Sequence, residues 1–516
     1  MQYRWVALSV TTVGTLMASI DTNIVVIALP TIARQLPGVS VIVLLWILIG
    51  YSLVTSVLLL SLGRVADLYG RVRLYTWGLV VFTLGSALCG LSELGVELVA
   101  FRIVQALGAA LLFANSTAIV TDAFPPHQRG MALGINQISI VVGSVSGLVF
   151  GGLLTAVAGW RAIFFVNVPI GAFAVVWARW RLKELAVIER GQPVDWPGNA
   201  TFAGGLTLLL VGVTFGVLGV LSPVGGVLVG AAGLALLAIF VEVERRSRYP
   251  MLDVRLFRVR LFAAGNVSIF LNALARGTFA FVMVFFLQGP PRFLDPLSAG
   301  LYLAPVSASL AACAPFSGWL SDRYGARGFA TGGLALSAVG FLLLTQVGPT
   351  TTFLTMLPAF LLVGAGMGFY ASPNRASIMN SVPAHRRGVA AGTSTTLVTS
   401  GTTFSLAFSI ATLSTVMSLG NIVTVFLGRA IGSPSTVTAV GPFVSAVHLV
   451  FGISAGLVIA AMIPSALRGS EETRSPGSAA GAASRDRRLS LTRRPRTWEP
   501  PPSRADEGTA AAESRS

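Results

Sequence analysis

The sequence predicts an all-α integral membrane protein with 14 transmembrane helices, two six-helix bundles plus an inserted helix pair. Three observations carry this prediction. Hydrophobic residues make up 54% of the 516 positions and charged residues 11%, with a mean hydropathy of +0.78; a soluble domain carries about 25% charge. Windows of about 20 apolar residues, the length that crosses a bilayer core of about 30 Å, can be laid down fourteen times. The chain also contains itself twice. GRVADLYG at 63–70 returns as GWLSDRYG at 318–325, an offset of 255, and RGMALG at Arg129 returns as RGVAAG at Arg387, an offset of 258. Two independent pairs at nearly one offset mark a duplication of half the chain.

The first six windows lie near 5–29, 41–62, 74–92, 97–120, 133–155 and 162–180. The first begins beside Arg4 as a signal peptide would, but it runs too long and lacks a small-residue cleavage site, so it is expected to stay as helix 1. Two further windows, near 199–221 and 225–243, interrupt the repeat. The last six lie near 262–288, 298–320, 328–347, 353–375, 389–415 and 444–463. These bounds divide the chain into a bundle at 1–180, linkers with the inserted pair at 181–261, a second bundle at 262–465 and a tail at 466–516. The tail is Ser-, Ala-, Pro-, Gly- and Arg-rich and cannot bury enough surface to offset chain entropy, so it is expected to be a disordered cytoplasmic segment.

Basic residues collect in alternate loops. Arg64, Arg71 and Arg73, Arg129, Arg179 to Arg190, Arg245 to Arg260, Arg323 and Arg327, and Arg386 and Arg387 fall in even-numbered loops; odd-numbered loops hold little beyond Arg34, Arg161, Arg292 and Arg429. The positive-inside rule then places the even loops and both termini in the cytoplasm. It accounts for the net charge of +16 without nucleic acid. Cys89 and Cys313 fall within apolar windows and read as small hydrophobes.

Several function classes are excluded. A nucleotide-hydrolysing pump needs G-x-x-x-x-G-K-S/T, whose lysine reaches the phosphates, and the sole lysine here is Lys183 in RLKEL. An enzyme needs convergent acid, base or metal-binding groups; the three histidines, His127, His385 and His448, lie far apart in the sequence. No cofactor and no metal are expected. Duplicated halves in an apolar chain point instead to a secondary transporter with its site where the halves meet.

Five stretches narrow the class: SIDTNIVVIALP at 19–30, GRVADLYGRVR at 63–73, FRIVQALGAA at 101–110, WRAIFFVNVPIG at 160–171 and the glycine run Gly143, Gly147, Gly151 and Gly152. With VDWPG at 194–198, they resemble the major facilitator superfamily, in particular its fourteen-helix drug:proton antiporter branch, over residues 5–465. The resemblance implies export of amphipathic drugs or related small molecules in exchange for protons, by one chain in the inner cell membrane.

The residues can be weighed beside that resemblance. A carboxylate well inside helix 1 is costly and is a functional candidate by default. Asp21 lies about 12 Å from the outer end of its helix and Arg102 about 8 Å down helix 4, counted at 1.5 Å per residue, so the opposite charges are depth-matched. In similar antiporters such residues are the protonation site and its partner; a static ion pair orienting two helices is the alternative. Gly63, Asp67, Gly70 and Arg71 fit a tight turn. With Gly318, Asp322, Gly325, Arg129 and Arg387, they form by resemblance a conformational latch that stabilises the outward-facing state. The glycines of the fifth window make a smooth stripe for close helix packing; Leu148 stands where the family pattern has proline, which weakens the antiport inference. Arg276 lies mid-window with Asn272, Phe279 and Met283 at i−4, i+3 and i+7. This face is the expected substrate cavity, in which Arg276 either binds an anionic group or pairs with Asp21. The window at 389–415 is polar without charge, with hydroxyls expected mostly in structural use. A transporter of one dedicated natural substrate and a non-transporting membrane sensor are the competing readings.

Overall fold

The computed structural model describes residues 2–125, 128–185, 195–247, 250, 252–290, 292–382, 387–427 and 434–468. Regular structure among them is helical throughout: α1 (Tyr3–Gln35), α2 (Val41–Tyr69), α3 (Arg71–Leu91), α4 (Gly95–Ala123), α5 (Arg129–Ala158), α6 (Ala162–Phe165), α7 (Asn167–Arg181), α8 (Trp196–Val217), α9 (Pro223–Arg246), α10 (Arg260–Gln288), α11 (Pro296–Tyr324), α12 (Ala326–Leu344), α13 (Phe353–Asn380), α14 (Arg387–Val416), α15 (Leu419–Leu427) and α16 (Pro434–Leu467). Thirteen segments of the described residues are long and apolar enough to cross a membrane. The remaining expected window, 133–155, lies in α5, a continuous helix of 30 residues, so fourteen crossings fit. The tail from 469 onward lies outside the described residues.

Two features depart from the windows. The window at 162–180 is broken, α6 ending at Phe165 and α7 starting at Asn167. Between the windows at 389–415 and 444–463 stands α15, nine residues long, which buries Ile422, Val425, Phe426 and Leu427. Phe426 stacks at 4.3 Å on Phe285 and at 5.4 Å on Phe281 of α10.

The helices sort into two bundles. In the first, α1 packs on α5, α4 and α7, while α3 packs on α4 and α7 and α2 on α4; in the second, α10 packs on α14, α16 and α13, and α13 on α11 and α12. Two seams join them, α2 with α14 and α5 with α11. The sequence repeat relates α2 to α11 and α5 to α14, so it carries one seam onto the other. The two repeated turns share a backbone shape as well. Gly70 (φ 102°) and Gly325 (φ 86°) both occupy the region closed to most side chains.

The inserted pair is joined by missing side chains: Gly212 lies on Gly230 and Gly216 on Gly226, backbone to backbone. It leans on α2 and α14. Asn199 hydrogen-bonds Ser61 of α2, and Phe215 meets Trp46 edge-on at 6.1 Å.

Apolar burial is polarised along the helix axes. One large cluster crosses between the bundles at the face remote from the Gly70 and Gly325 turns, joining Ile27, Leu29 and Ile32 of α1 to Val282, Phe285 and Phe286 of α10. There Gln288 donates to the Ile27 carbonyl at 2.7 Å. Nearer the turns the clusters separate: Val10, Tyr75 and Leu79 belong to the first bundle, and Phe262, Ile378 and Ala390 to the second. Among the described residues, the shared apolar cluster joins the bundles at the far face, and the clusters nearest the turns each belong to one bundle.

Candidate functional site

α1 and α4 bring the depth-matched charges into contact. Nη1 of Arg102 lies 2.5 Å from Oδ2 of Asp21, with the two side chains 1% and 0% exposed. Gln105, one helical turn beyond Arg102, donates to Oδ1 of Asp21 at 2.8 Å and accepts from Arg102 at 2.7 Å. Asn167 donates to the same Oδ1 at 3.1 Å and to Ser86 of α3 at 3.1 Å. The Arg102 Nε points to the Ile47 carbonyl at 3.4 Å, and its guanidinium lies 4.0 Å above the Tyr51 ring.

Local sequence explains the assembly. Gly85 of α3 faces the backbone of Gln105, and Gly108 of α4 faces that of Phe82, so α3 and α4 meet with no side chain between them. This fixes the height of Arg102 and Gln105. The break after Phe165 places Asn167 at the start of α7, beside Asp21. Gly143 and Gly147 of α5 receive α1 directly, against Leu16, Ser19 and Ile20, and Gly151 receives Ile24 and Ile27. Gly152 faces the other way, against Pro296 of α11, and the Leu148 carbonyl faces Gly300.

Taking two charges out of water costs several kcal/mol each and is offset only when geometry and hydrogen bonds are complete. Here they are nearly so, since Asp21 receives three donated bonds. All come from N–H groups, the complement an ionised carboxylate requires. The cluster is a dry site, with Asp21 and Arg102 0% and 1% exposed, in which every bond to the carboxylate is donated by an N–H group. Gln105 and Asn167 were not singled out in the sequence. One signal was available: both are amides inside the quoted motifs, and Gln105 follows Arg102 at i+3.

The expected cavity residues divide. Arg276 and Asn272 are partly exposed, whereas Phe279 and Met283 are buried at 4% and 0% exposure. Phe279 packs among Phe341, Phe360 and Phe451, with centroids 6.0–6.2 Å away, inside the second bundle. In this conformation it meets core, not open space. Arg276 has no hydrogen-bond or ion-pair partner among the described residues, and Asp21 is occupied by Arg102.

At the turn face, Arg71 donates to Asp67 at 2.9 Å and to both carboxylate oxygens of Asp122 at 2.7 Å. Glu184 accepts from the Val72 amide at 2.9 Å, capping the start of α3. Asp122 and Glu184 are thus part of the charge cluster around Gly63, Asp67 and Gly70, although neither was singled out from the sequence. In the second copy Gly318 lies against Ser372 and Gly325 makes the turn; the side chains of Asp322, Arg129 and Arg387 lie outside the described residues. The hydroxyls of α14 serve structure for the most part. Thr393, Thr395 and Thr399 bond carbonyls one turn back, while Ser394 reaches Asn266 at 2.7 Å and Ser400 reaches Ser56 at 2.9 Å. No group of three metal-ligating side chains occurs among the described residues.

Known proteins place this architecture. The chain is 31% identical over 402 residues to the riboflavin transporter RibZ of Clostridioides difficile, covering 77% of this chain and 85% of the relative. It is 35% identical over 384 residues to the multidrug resistance protein Stp of Mycobacterium tuberculosis (strain CDC 1551 / Oshkosh), covering 74% and 71%. Among solved structures, a bacterial homolog of the human lysosomal transporter Spinster superposes with a TM-score of 0.66 at 15% identity, covering 90% of this chain and 97% of that one; at that identity the likeness concerns the fold. The sequence profile of the Major Facilitator Superfamily matches residues 11–406. With that match over most of its length, this multi-pass chain of two repeat-related helix bundles around a buried charge site belongs to the Major Facilitator Superfamily of membrane transporters.

Proposed function

We propose that the protein exports amphipathic small molecules from the cytoplasm in exchange for protons, with Asp21 as the proton-carrying group and Arg102 as its partner. The observation that supports this reading most directly is the dry Asp21–Arg102–Gln105–Asn167 cluster. A carboxylate that is charged and fully paired when the bundles are locked at one face becomes a proton acceptor once they rock apart there and water reaches it. In this reading the charged loops make the turn face cytoplasmic, the apolar seal at the far face closes the outer side, and the paired Asp21 stands at the stage after proton release. Rocking outward would expose Asp21 to the outer side, load a proton and discharge the substrate. Each proton returning down the membrane potential supplies about 2.3 kcal/mol per 100 mV. In this reading the Asp67–Arg71–Asp122 cluster, with the repeat positions Gly318, Asp322 and Gly325 of the second copy, belongs to the latch that holds the outward-facing state. One chain in the inner membrane, with its termini and tail in the cytoplasm, suffices.

Reconstitution in liposomes tests the coupling. Substrate-driven proton flux is measured for wild type and Asp21→Asn across cationic, neutral and anionic amphiphiles. Flux lost in the variant supports coupling through Asp21; flux equal to wild type places the coupling elsewhere. A second reading, a transporter of one dedicated natural substrate, draws on the likeness to the riboflavin transporter RibZ and on Leu148, where the drug-antiporter pattern has proline. It predicts that one compound class alone drives flux.

A further inference from the structure

Among the described residues, the uncompensated charge in the membrane interior is positive, and it sits on α10. Arg276 is the seventeenth of the 29 residues of that helix, about 24 Å from one end and 18 Å from the other at 1.5 Å per residue, which is midplane depth. Other described interior charges have partners: Asp21 and Arg102 hold each other, and Arg375 of α13 bonds Thr395 at 3.4 Å. Arg276 has none among the described residues. It is also partly exposed, unlike the sealed Asp21 and Arg102. α10 is an inner helix, packed on α13, α14 and α16 of its own bundle and touching the other through α1. A guanidinium cannot shed its proton to lower the cost of burial, so an anion at that depth is the remaining source of compensation.

The sequence left two anions for Arg276: Asp21 or a group on the substrate. The structure removes the first in the inward-open state, because three donated bonds already occupy Asp21. We infer that Arg276 is a substrate-binding residue for an anionic head, a carboxylate, sulfonate or phosphate, and that Asn272, one turn away and also partly exposed, supplies a neutral donor beside it. The preferred cargo is an anionic or zwitterionic amphiphile. This rests on the transport reading above and adds the charge class of the cargo. Guanidinium suits such heads better than ammonium, since its planar fork can bind two oxygens at once.

The test uses three probes with one aromatic body: 1-naphthaleneacetic acid, 1-naphthaleneacetamide and 1-naphthylmethylamine. Binding to purified full-length protein in detergent is followed by tryptophan fluorescence at neutral pH for wild type, Arg276→Lys and Arg276→Gln. Wild type should bind the acid at least tenfold more tightly than the amide or the amine. Arg276→Gln should erase that preference, and Arg276→Lys should keep part of it. Equal affinities in wild type, no binding of the acid at millimolar concentration, or a preference that survives in Arg276→Gln would overturn the inference. The coupling reading fails separately, when Asp21→Asn retains proton flux, so the two failures are distinguishable. A melting temperature for Arg276→Gln within a few degrees of wild type confirms that the lost preference is not lost fold.

Discussion

The Asp21 cluster is a set of groups that depend on one another, and that dependence governs what single substitutions do. Removing one partner of a buried ion pair leaves an uncompensated charge and costs about 3–5 kcal/mol, whereas removing both is often close to neutral. Arg102→Leu is therefore expected to melt well below wild type in detergent, and Asp21→Asn/Arg102→Leu to recover most of the loss, while both are silent in proton flux. A double variant no more stable than Arg102→Leu would mean that the pair is not the main constraint at this position. The sequence made the charges legible because an acid or a base stands out in an apolar window. The amides that complete the site were not legible in the same way: Gln105 and Asn167 are uncharged, and only the contact of α3 with α4 and the break after Phe165 give them a role. Phe279 and Met283 illustrate the opposite difficulty. Their spacing from Arg276 marks a shared helix face, but the α12, α13 and α16 side chains decide that this face is core.

At the scale of elements, bare backbone contact does most of the positioning. A methyl group at Gly147 would lie 2.7 Å from the Ile20 carbonyl, so Gly147→Val should push α5 from α1 and cost about 1–3 kcal/mol, the usual penalty of overpacking. Thermal melting would reveal the loss, and transport should fall with it because Asp21 lies on the displaced stretch of α1. Asp295 begins α11 by accepting from the Ser298 amide at 3.0 Å, and Asp295→Ala should cost about 1 kcal/mol as an N-cap loss. Hydrogen bonds from Ser298 hold the Asp295 carboxyl below its ordinary value. A lowered folded value means that its contribution is complete above the ordinary value and disappears as pH falls through the folded one. The melting difference between wild type and Asp295→Asn should therefore vanish in acid, below the ordinary carboxylate range. All fourteen expected crossings were readable from apolar length, and thirteen recur as spans among the described residues; α15 was not readable. Its nine residues are too short for a crossing, and only the Phe281, Phe285 and Phe426 stack makes it part of the far-face seal.

At the scale of the whole molecule, the seams determine which motions are allowed. Ser56 and Ser400 meet near the middles of α2 and α14, with Oγ atoms 2.9 Å apart, whereas Ile27 and Gln288 meet at the far face. Rocking about a central pivot preserves the first contact and breaks the second. With Cys89 and Cys313 replaced by serine, cysteines at Ser56 and Ser400 joined by oxidation should leave transport within about twofold of the unjoined protein, a change of less than about 0.5 kcal/mol in barrier. Cysteines at Ile27 and Gln288 joined by a short bifunctional thiol reagent should stop it. Transport that survives the second cross-link would rule out opening at that face.

The exchange of seams under the repeat has a consequence for ancestry. Two surfaces that each present one face to the other, twice and in opposite roles, are what an isologous dimer interface contains. The arrangement is a twofold homodimer written into one polypeptide, with α8 and α9 as a tether whose two crossings bring the chain back to the face it left, so the second half keeps the first half's orientation. Fusion released the two seams from having to match. One now closes with glycine backbone, Gly152 on Pro296 and Gly300 on Leu148, and the other with serine hydroxyls at Ser56 and Ser400. The same release allowed the first half to keep a buried acid–arginine pair while the second, among the described residues, keeps Arg276 without an acid, a division of labour closed to a symmetric pair of identical chains.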